Sequence, residues 1–225
     1  MIKDTSYTIT NEMLIKALDS IPNYFGKSTL NQPTGNFFTD KWIIKPEFLN
    51  TVWDTIMQML PFPVGEARII SIEPGKCYIK HADIDDRYHL TLQSEDSFLV
   101  DLDKNILHPL HVTKVWKLFD AGVRHSAVNF GTKNRIELVV RKLLPKVENK
   151  NFCKVIISTE QMNHETARNK FDNTVSPWLN AKAKQNLLQD FNFTETQVTF
   201  KSSKESIQSL KELLPSNFIL KVLDE

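Results

Sequence analysis

The chain has 225 residues, 41% hydrophobic and 10% aromatic, with 28 Lys and Arg against 27 Asp and Glu. That composition excludes a disordered chain and can fill one domain of ordinary size plus a smaller one, while the balanced charge gives no reason to expect a nucleic-acid or membrane-surface partner. The two cysteines, Cys77 and Cys153, lack metal-type spacing and are too few for a disulfide framework. With no signal peptide and no long apolar run, they make a cytoplasmic protein the expectation.

Residues 11–19 carry apolar positions at helical spacing and predict a short helix, followed by a polar loop from Pro22 to Gly35. A second helix is expected over 46–60, where Phe48, Leu49, Val52, Trp53, Ile56, Met57 and Leu60 form one stripe. Pro46 suits its first turn and Pro61 its end. From Ala67 the period becomes two. Short strands are predicted over 67–72, 77–80, 88–92, 97–100, 113–119, 126–130 and 135–141, separated by turn-forming residues. Such a series predicts an antiparallel sandwich or barrel, with the preceding helices able to cover one sheet.

Residues 145–151 form a polar linker and a domain boundary, giving a β-rich unit over 1–146 and a small α/β domain over 150–225. The second unit is predicted to contain a strand over 152–158 and helical sequence over 163–191, broken near Pro177. A strand over 197–201, a helix over 204–214 capped by Ser203, and a strand over 218–223 complete it.

The chemistry concentrates in the first unit. His81 and Asp83 are two apart and share a face if the chain there is extended, and a barrel can bring His125 beside them. Two imidazoles and a carboxylate suit a borderline divalent ion such as Fe(II), leaving other coordination positions open. The same His-x-Asp pair also reads as an exposed ion pair in a turn. Arg135 begins an apolar strand, where a buried guanidinium requires an anion: a two-pronged carboxylate ligand, or an internal salt bridge to Glu137 or Asp120.

Several segments together resemble the aspartyl/asparaginyl β-hydroxylase family of Fe(II)- and 2-oxoglutarate-dependent oxygenases. They are Ala67-Arg68-Ile69-Ile70, His81-x-Asp83, Arg87-x-His89-Leu90, Phe119-Asp120-Ala121, His125-Ser126-Ala127 and Arg135-x-x-Leu138-Val139-Val140. The branch containing the L-proline cis-hydroxylases is especially similar. The resemblance implies a double-stranded β-helix (a jelly roll, cupin-like) with His81, Asp83 and His125 as iron ligands. It implies Arg135 on the distal carboxylate of 2-oxoglutarate, Arg87 and His89 near a co-substrate or substrate carboxylate, and Ser71 assisting Arg135. The implied reaction uses O2, converts 2-oxoglutarate to succinate and CO2, and hydroxylates either a free proline-like amino acid or an Asp, Asn or Pro residue in a polypeptide. The appended domain lies outside the resemblance and leans the expectation toward a macromolecular substrate. The alternative is a cupin-like metal-binding or interaction module without oxygenase chemistry.

Other features receive plainer readings. His108 and His111 are expected in a surface turn and Cys77 as a buried structural thiol. Trp53, Trp116 and Phe119 are core candidates, with Trp116 a possible pocket wall. Asp120 either fixes the turn before His125 or accepts a hydrogen bond from a ligand histidine. The basic residues of 180–211 form a solvated helix face.

Overall fold

The computed structural model describes residues 2–21, 27–146, 151–159, 165–194 and 197–223. Strand β1 (Ile2–Thr8) leads into helix α1 (Asn11–Asp19), whose cap Thr10 accepts a hydrogen bond from the Met13 N–H. Short strands β2 (Lys27–Thr29), β3 (Asn31–Pro33) and β4 (Trp42–Ile44) follow. Two of them lie where a loop was expected; residues 22–26 of that loop fall outside the described residues. The single helix expected over 46–60 is divided into a 3-10 turn at Pro46–Phe48 and helix α2 (Val52–Gln58). Between them Asn50 has a φ of 58°, and its N–H donates to Asp54 Oδ2 at 3.1 Å, so a local side-chain bond competes with helix continuation.

Then come β5 (Val64–Ile72), β6 (Arg87–Gln93), β7 (Ser97–Asp101), β8 (Ile106–Pro109), β9 (Val115–Phe119), β10 (His125–Asn129) and β11 (Arg135–Lys142). All pair antiparallel, in a six-stranded sheet ordered β1-β9-β6-β11-β5-β2 and a smaller sheet ordered β10-β7-β8. Strand partners that are not sequence neighbours, facing across a shared interior, make this a jelly roll.

The alternation along β5, β6 and β11 sorts side chains onto two faces. Ala67, Ile69, Leu90, Leu92, Leu138 and Val140 face outward and pack with Trp53 and Ile56 of α2 and Ala17 of α1, so the helices do cover the large sheet. Trp116 belongs to this outer core and is no pocket wall. Ile70, Ile72 and Val139 face inward, meeting Leu99, Phe119 and Ala127. Each such buried aliphatic stabilises the fold by about 1.5–3 kcal/mol.

Three expectations change. Residues 77–80 form an irregular segment beside β10, joined by isolated bridges at Cys77–Val128 and His81–His125, and Cys77 is exposed. Although this margin is bridged to β10, the Cys77 side chain is left exposed. His108 lies in β8, opposite Leu99, not in a turn. β1 was not foreseen, because as an edge strand it is mostly exposed and carries few apolar residues.

The C-terminal unit contains β12 (Cys153–Ser158), α3 (Glu165–Lys184), β13 (Gln189–Phe193), β14 (Gln197–Ser202), α4 (Lys204–Leu213) and β15 (Ile219–Leu223). Helix α3 runs uninterrupted through Pro177 and stops earlier than expected. At its end Asn186 takes a φ of 58° while the Asn186 and Leu187 N–H groups close back on Ala183 and Lys182. The cap at Ser203 is as predicted, accepting from the Ser206 N–H. Residues 163–164 of the expected helix and 147–150 of the expected linker lie outside the described residues.

The two units share a core. Phe38 is buried among Phe171, Phe191 and Phe200, with Phe37, Ile84 and Leu144 packed against the same cluster. Asn180 of α3 donates through Nδ2 to the Ile84 carbonyl at 2.8 Å, and Lys184 pairs with Asp86 at 3.1 Å and Asp120 at 3.0 Å. A Cβ on Gly122 would come within 2.5 Å of Asn180 Oδ1, so glycine is what lets α3 approach the turn before His125. Among the described residues, no helix is long and apolar enough to cross a membrane.

Candidate metal and carboxylate site

His125 opens β10, and His81 lies directly opposite it. Each backbone N–H donates to the other's carbonyl, at 3.0 and 2.8 Å, which puts both imidazoles on one face with ring centroids 4.3 Å apart. Asp83, two residues on, is held by its N–H donating to the Ala121 carbonyl at 2.7 Å. Asp83 Oδ2 lies 3.8 Å from His81 Nε2 and 3.7 Å from His125 Nε2. One donor atom from each of the three lies within 4.8 Å of the others, a group that could hold a metal ion.

The ring tautomers follow from the backbone. His81 Nδ1 is 2.8 Å from the Ile79 carbonyl and His125 Nδ1 is 2.8 Å from the Val123 carbonyl. A carbonyl only accepts, so Nδ1 carries the proton and Nε2 presents its lone pair to Asp83. Asp120 is therefore not a partner of a ligand histidine. It accepts from the Gly122 N–H at 3.3 Å and fixes the turn.

Arg87 of β6 faces Asp83, with Nη2 2.9 Å from Oδ1 and Nε 3.3 Å from Oδ2, and reaches Asp85 at 3.3 Å. Arg141 pairs with Asp85 at 3.0 Å and with Glu66 at 3.3 Å, and Arg68 with Glu66 at 2.8 Å. Burial pushes the Asp83 carboxyl up, but Arg87, His81 and His125 outweigh it and hold the group far below the usual carboxylate range. Burial pushes the His125 imidazole down to about 4, with the Asp83 charge opposing in part. A carboxylate and a neutral imidazole at neutral pH are the forms a cation needs.

This gives a pH prediction for the metal-free protein. Between 6.5 and about 4 the unfolded chain protonates His125 while the folded chain does not, so stability is present above that window and falls as pH drops through it. His125→Ala should flatten the part of the melting-temperature slope belonging to this window. A slope identical in the variant would refute the assignment.

A second polar cluster lies on the inward face of β6 and β11. Glu137 Oε2 pairs with Arg135 Nη2 and accepts from His89 Nδ1 at 2.8 Å, while Oε1 accepts from Thr91 Oγ1 at 3.0 Å. Burial raises the Glu137 carboxyl, but Arg135 and His89 bring it down to about 2. The internal salt bridge open to Arg135 from the sequence is thus formed, with Glu137 and not Asp120. It does not satisfy the guanidinium: Nε and Nη1 are buried with no hydrogen-bond partner among the described residues. Each stranded donor costs about 1–3 kcal/mol, a cost that a carboxylate accepting from Nη1 would reduce.

Arg87 is committed to Asp83 and Asp85, with Nη1 buried and unpartnered, and His89 to Glu137. Both support charged neighbours at the site. Ser71 borders the cleft beside His81, yet falls on the opposite face of β5 from Arg68 and Ile70.

That cleft, of about 730 Å³, also involves Tyr78 of the jelly roll and Glu165, Arg168 and Asp172 of α3. Burial raises the Tyr78 hydroxyl, partly offset by the charges of Arg135 and Arg68. A second hollow of about 360 Å³ borders Asp83 and Arg87. No motif in the sequence marks Tyr78 or the α3 residues; only the docking of the C-terminal unit brings α3 there.

No curated protein sequence matches the chain. Among solved structures, a prolyl-4-hydroxylase from Pseudomonas putida is similar at 13% identity and a TM-score of 0.38, covering 63% of this chain and 91% of its own. A cupin domain from Bordetella pertussis Tohama I is similar at 11% identity and a TM-score of 0.34, covering 54% of this chain and 97% of its own. The fold assignment rests on the sheet topology. The sequence model described as Aspartyl/Asparaginyl beta-hydroxylase matches residues 34–145, about half of the chain, a segment that contains the triad, Arg87 and Arg135. Through that segment the chain belongs to the aspartyl/asparaginyl β-hydroxylase family.

Proposed function

We propose that the protein is an Fe(II)- and 2-oxoglutarate-dependent dioxygenase that hydroxylates an amino acid, free and proline-like or an Asp, Asn or Pro residue in a polypeptide. The observation that carries the reading is the combination of a two-histidine, one-carboxylate face with a buried arginine whose Nε and Nη1 lack acceptors. His81, Asp83 and His125 would hold the iron, and Arg135 would grip the distal carboxylate of 2-oxoglutarate in a two-pronged bond. Iron with its co-substrate supplies the oxidising chemistry for C–H hydroxylation, with succinate and CO2 as co-products. The chain's residues do the remaining work. Arg87 keeps Asp83 ionised and oriented, and the Ile79 and Val123 carbonyls fix the tautomers. Phe119 packs edge-on against His125 at 4.7 Å and shields it from water.

One observation favours the second reading, a cupin-like module that binds metal without oxygenase chemistry: Arg135 already has an internal partner in Glu137. Anaerobic titration with Fe(II) and 2-oxoglutarate separates the two. The hydroxylase reading expects the weak visible charge-transfer band of the ternary complex in the wild type and none in His125→Ala. A wild type that binds Fe(II) but gives no band with 2-oxoglutarate leaves the metal-only reading.

A further inference from the structure

The cleft beside the triad has two walls of different origin. The jelly roll contributes Ile70, Tyr78 and Ile79 beside the polar Arg68, Ser71 and Lys80, next to His81; α3 contributes the charged Glu165, Arg168 and Asp172. Arg168 also borders the hollow on the Asp83 side. Among the described residues it is the one side chain common to both spaces, the first bordered by His81 and the second by Asp83.

Arg168 is held in place. Its Nε donates to Asp172 Oδ2 at 3.0 Å, and its guanidinium lies 5.0 Å from the centroid of Phe193. Asp172 is nearly inaccessible, its side chain 4% exposed, and its other oxygen accepts from Ser176 Oγ at 3.3 Å. The plain alternative is an ordinary i,i+4 helix pair, worth about 0.3–0.5 kcal/mol on a solvated face. This pair is only half on such a face: the Arg168 side chain is 43% exposed, the Asp172 side chain is not. Its carboxylate is buried, and Asp172 lines the same cleft as His81. Burying a carboxylate to hold an arginine in a catalytic cleft is poor stability design, but it presents the fork in one orientation.

We propose that Arg168 is the anchor for a carboxylate of the substrate, with Asp172 as its positioning residue, and that the C-terminal unit is the specificity wall of the catalytic cleft. The inference rests on the hydroxylase reading and narrows it. The substrate is a small free amino acid, its α-carboxylate on Arg168 and an apolar side chain against Ile70, Tyr78 and Ile79. A residue inside a polypeptide has no α-carboxylate to offer. The proposal departs from the sequence-based expectation that the appended domain favours a macromolecular substrate.

The test is calorimetric and needs no turnover. Protein loaded with Mn(II) in place of iron, and saturated with 2-oxoglutarate, is titrated with free apolar L-amino acids, proline included, and with the C-terminal amide of each. At least one free acid should bind, and its amide should bind about 10- to 100-fold more weakly, the range for a charge-assisted hydrogen bond. Arg168→Gln should abolish that acid-to-amide ratio and Asp172→Asn should reduce it. A change of stability alone would not move the ratio. 2-Oxoglutarate affinity should remain at the wild-type value in both variants. The proposal is overturned if no free acid binds, if acid and amide bind alike, or if the ratio survives in Arg168→Gln. Failure of the wild type to bind 2-oxoglutarate at all would instead remove the hydroxylase reading on which it stands.

Discussion

Arg135→Ala is expected to lower 2-oxoglutarate affinity by about 100-fold or more while Fe(II) uptake is retained. Two charge-assisted hydrogen bonds from the Nη1/Nη2 edge, at about 1.5–3 kcal/mol each, set that scale, with Nη1 the donor that now lacks a partner. The single variant has a side effect. Glu137 is 1% exposed and would keep only His89 and Thr91 as partners, so stability should also fall by about 3–5 kcal/mol, as when one member of a buried pair is removed. Adding Glu137→Gln to Arg135→Ala should recover much of the melting temperature and none of the affinity. If co-substrate affinity returned with stability, Arg135 would be a structural ion-pair partner only, and the metal-only reading would gain.

Asp83→Ala should lose Fe(II) and, separately, destabilise the metal-free protein. Arg87 is 2% exposed, and Asp83 is its bidentate partner. Removing it leaves Arg87 with Asp85 at 3.3 Å, which Arg141 also uses, so the cost should sit near the lower end of about 3–5 kcal/mol. Adding Arg87→Met removes the stranded charge and should restore metal-free stability to denaturant without restoring iron binding. Failure of that rescue would show that the Arg87–Asp83 pair does not couple the site to the fold. On the hydroxylase reading Asp83 would have two roles, as a metal donor and as the counter-charge for a buried arginine, whereas His125 is tied mainly to backbone and to Phe119.

Legibility followed burial. Strands β5, β6 and β11 were visible because their apolar residues alternate or run on, as strands covered on both faces must. β1 and β8 were not foreseen, because edge strands carry largely exposed side chains and present no apolar pattern. The breaks were misplaced for a related reason. Asn50, with a small polar side chain, interrupts an apolar stripe that otherwise reads as one helix, while Pro177 sits inside a helix held by tertiary packing of Phe171, Val175, Trp178 and Leu179. Propensity is a weak prior wherever packing decides.

At the site, the sequence by itself determined which candidate donors come together and which arginine stands in an apolar strand. His81 and Asp83 two apart, His125 at a strand start and Arg135 in an apolar run are local facts, and pattern reading finds local facts. Only the tertiary structure decided which charges pair with which. Arg87 lies on Asp83, His89 and Arg135 both lie on Glu137, and α3 arrives from beyond residue 160 to wall the cleft with Arg168 and Asp172. Those relations depend on strand register and on how two units share a core, and neither is encoded in the spacing of residues along the chain.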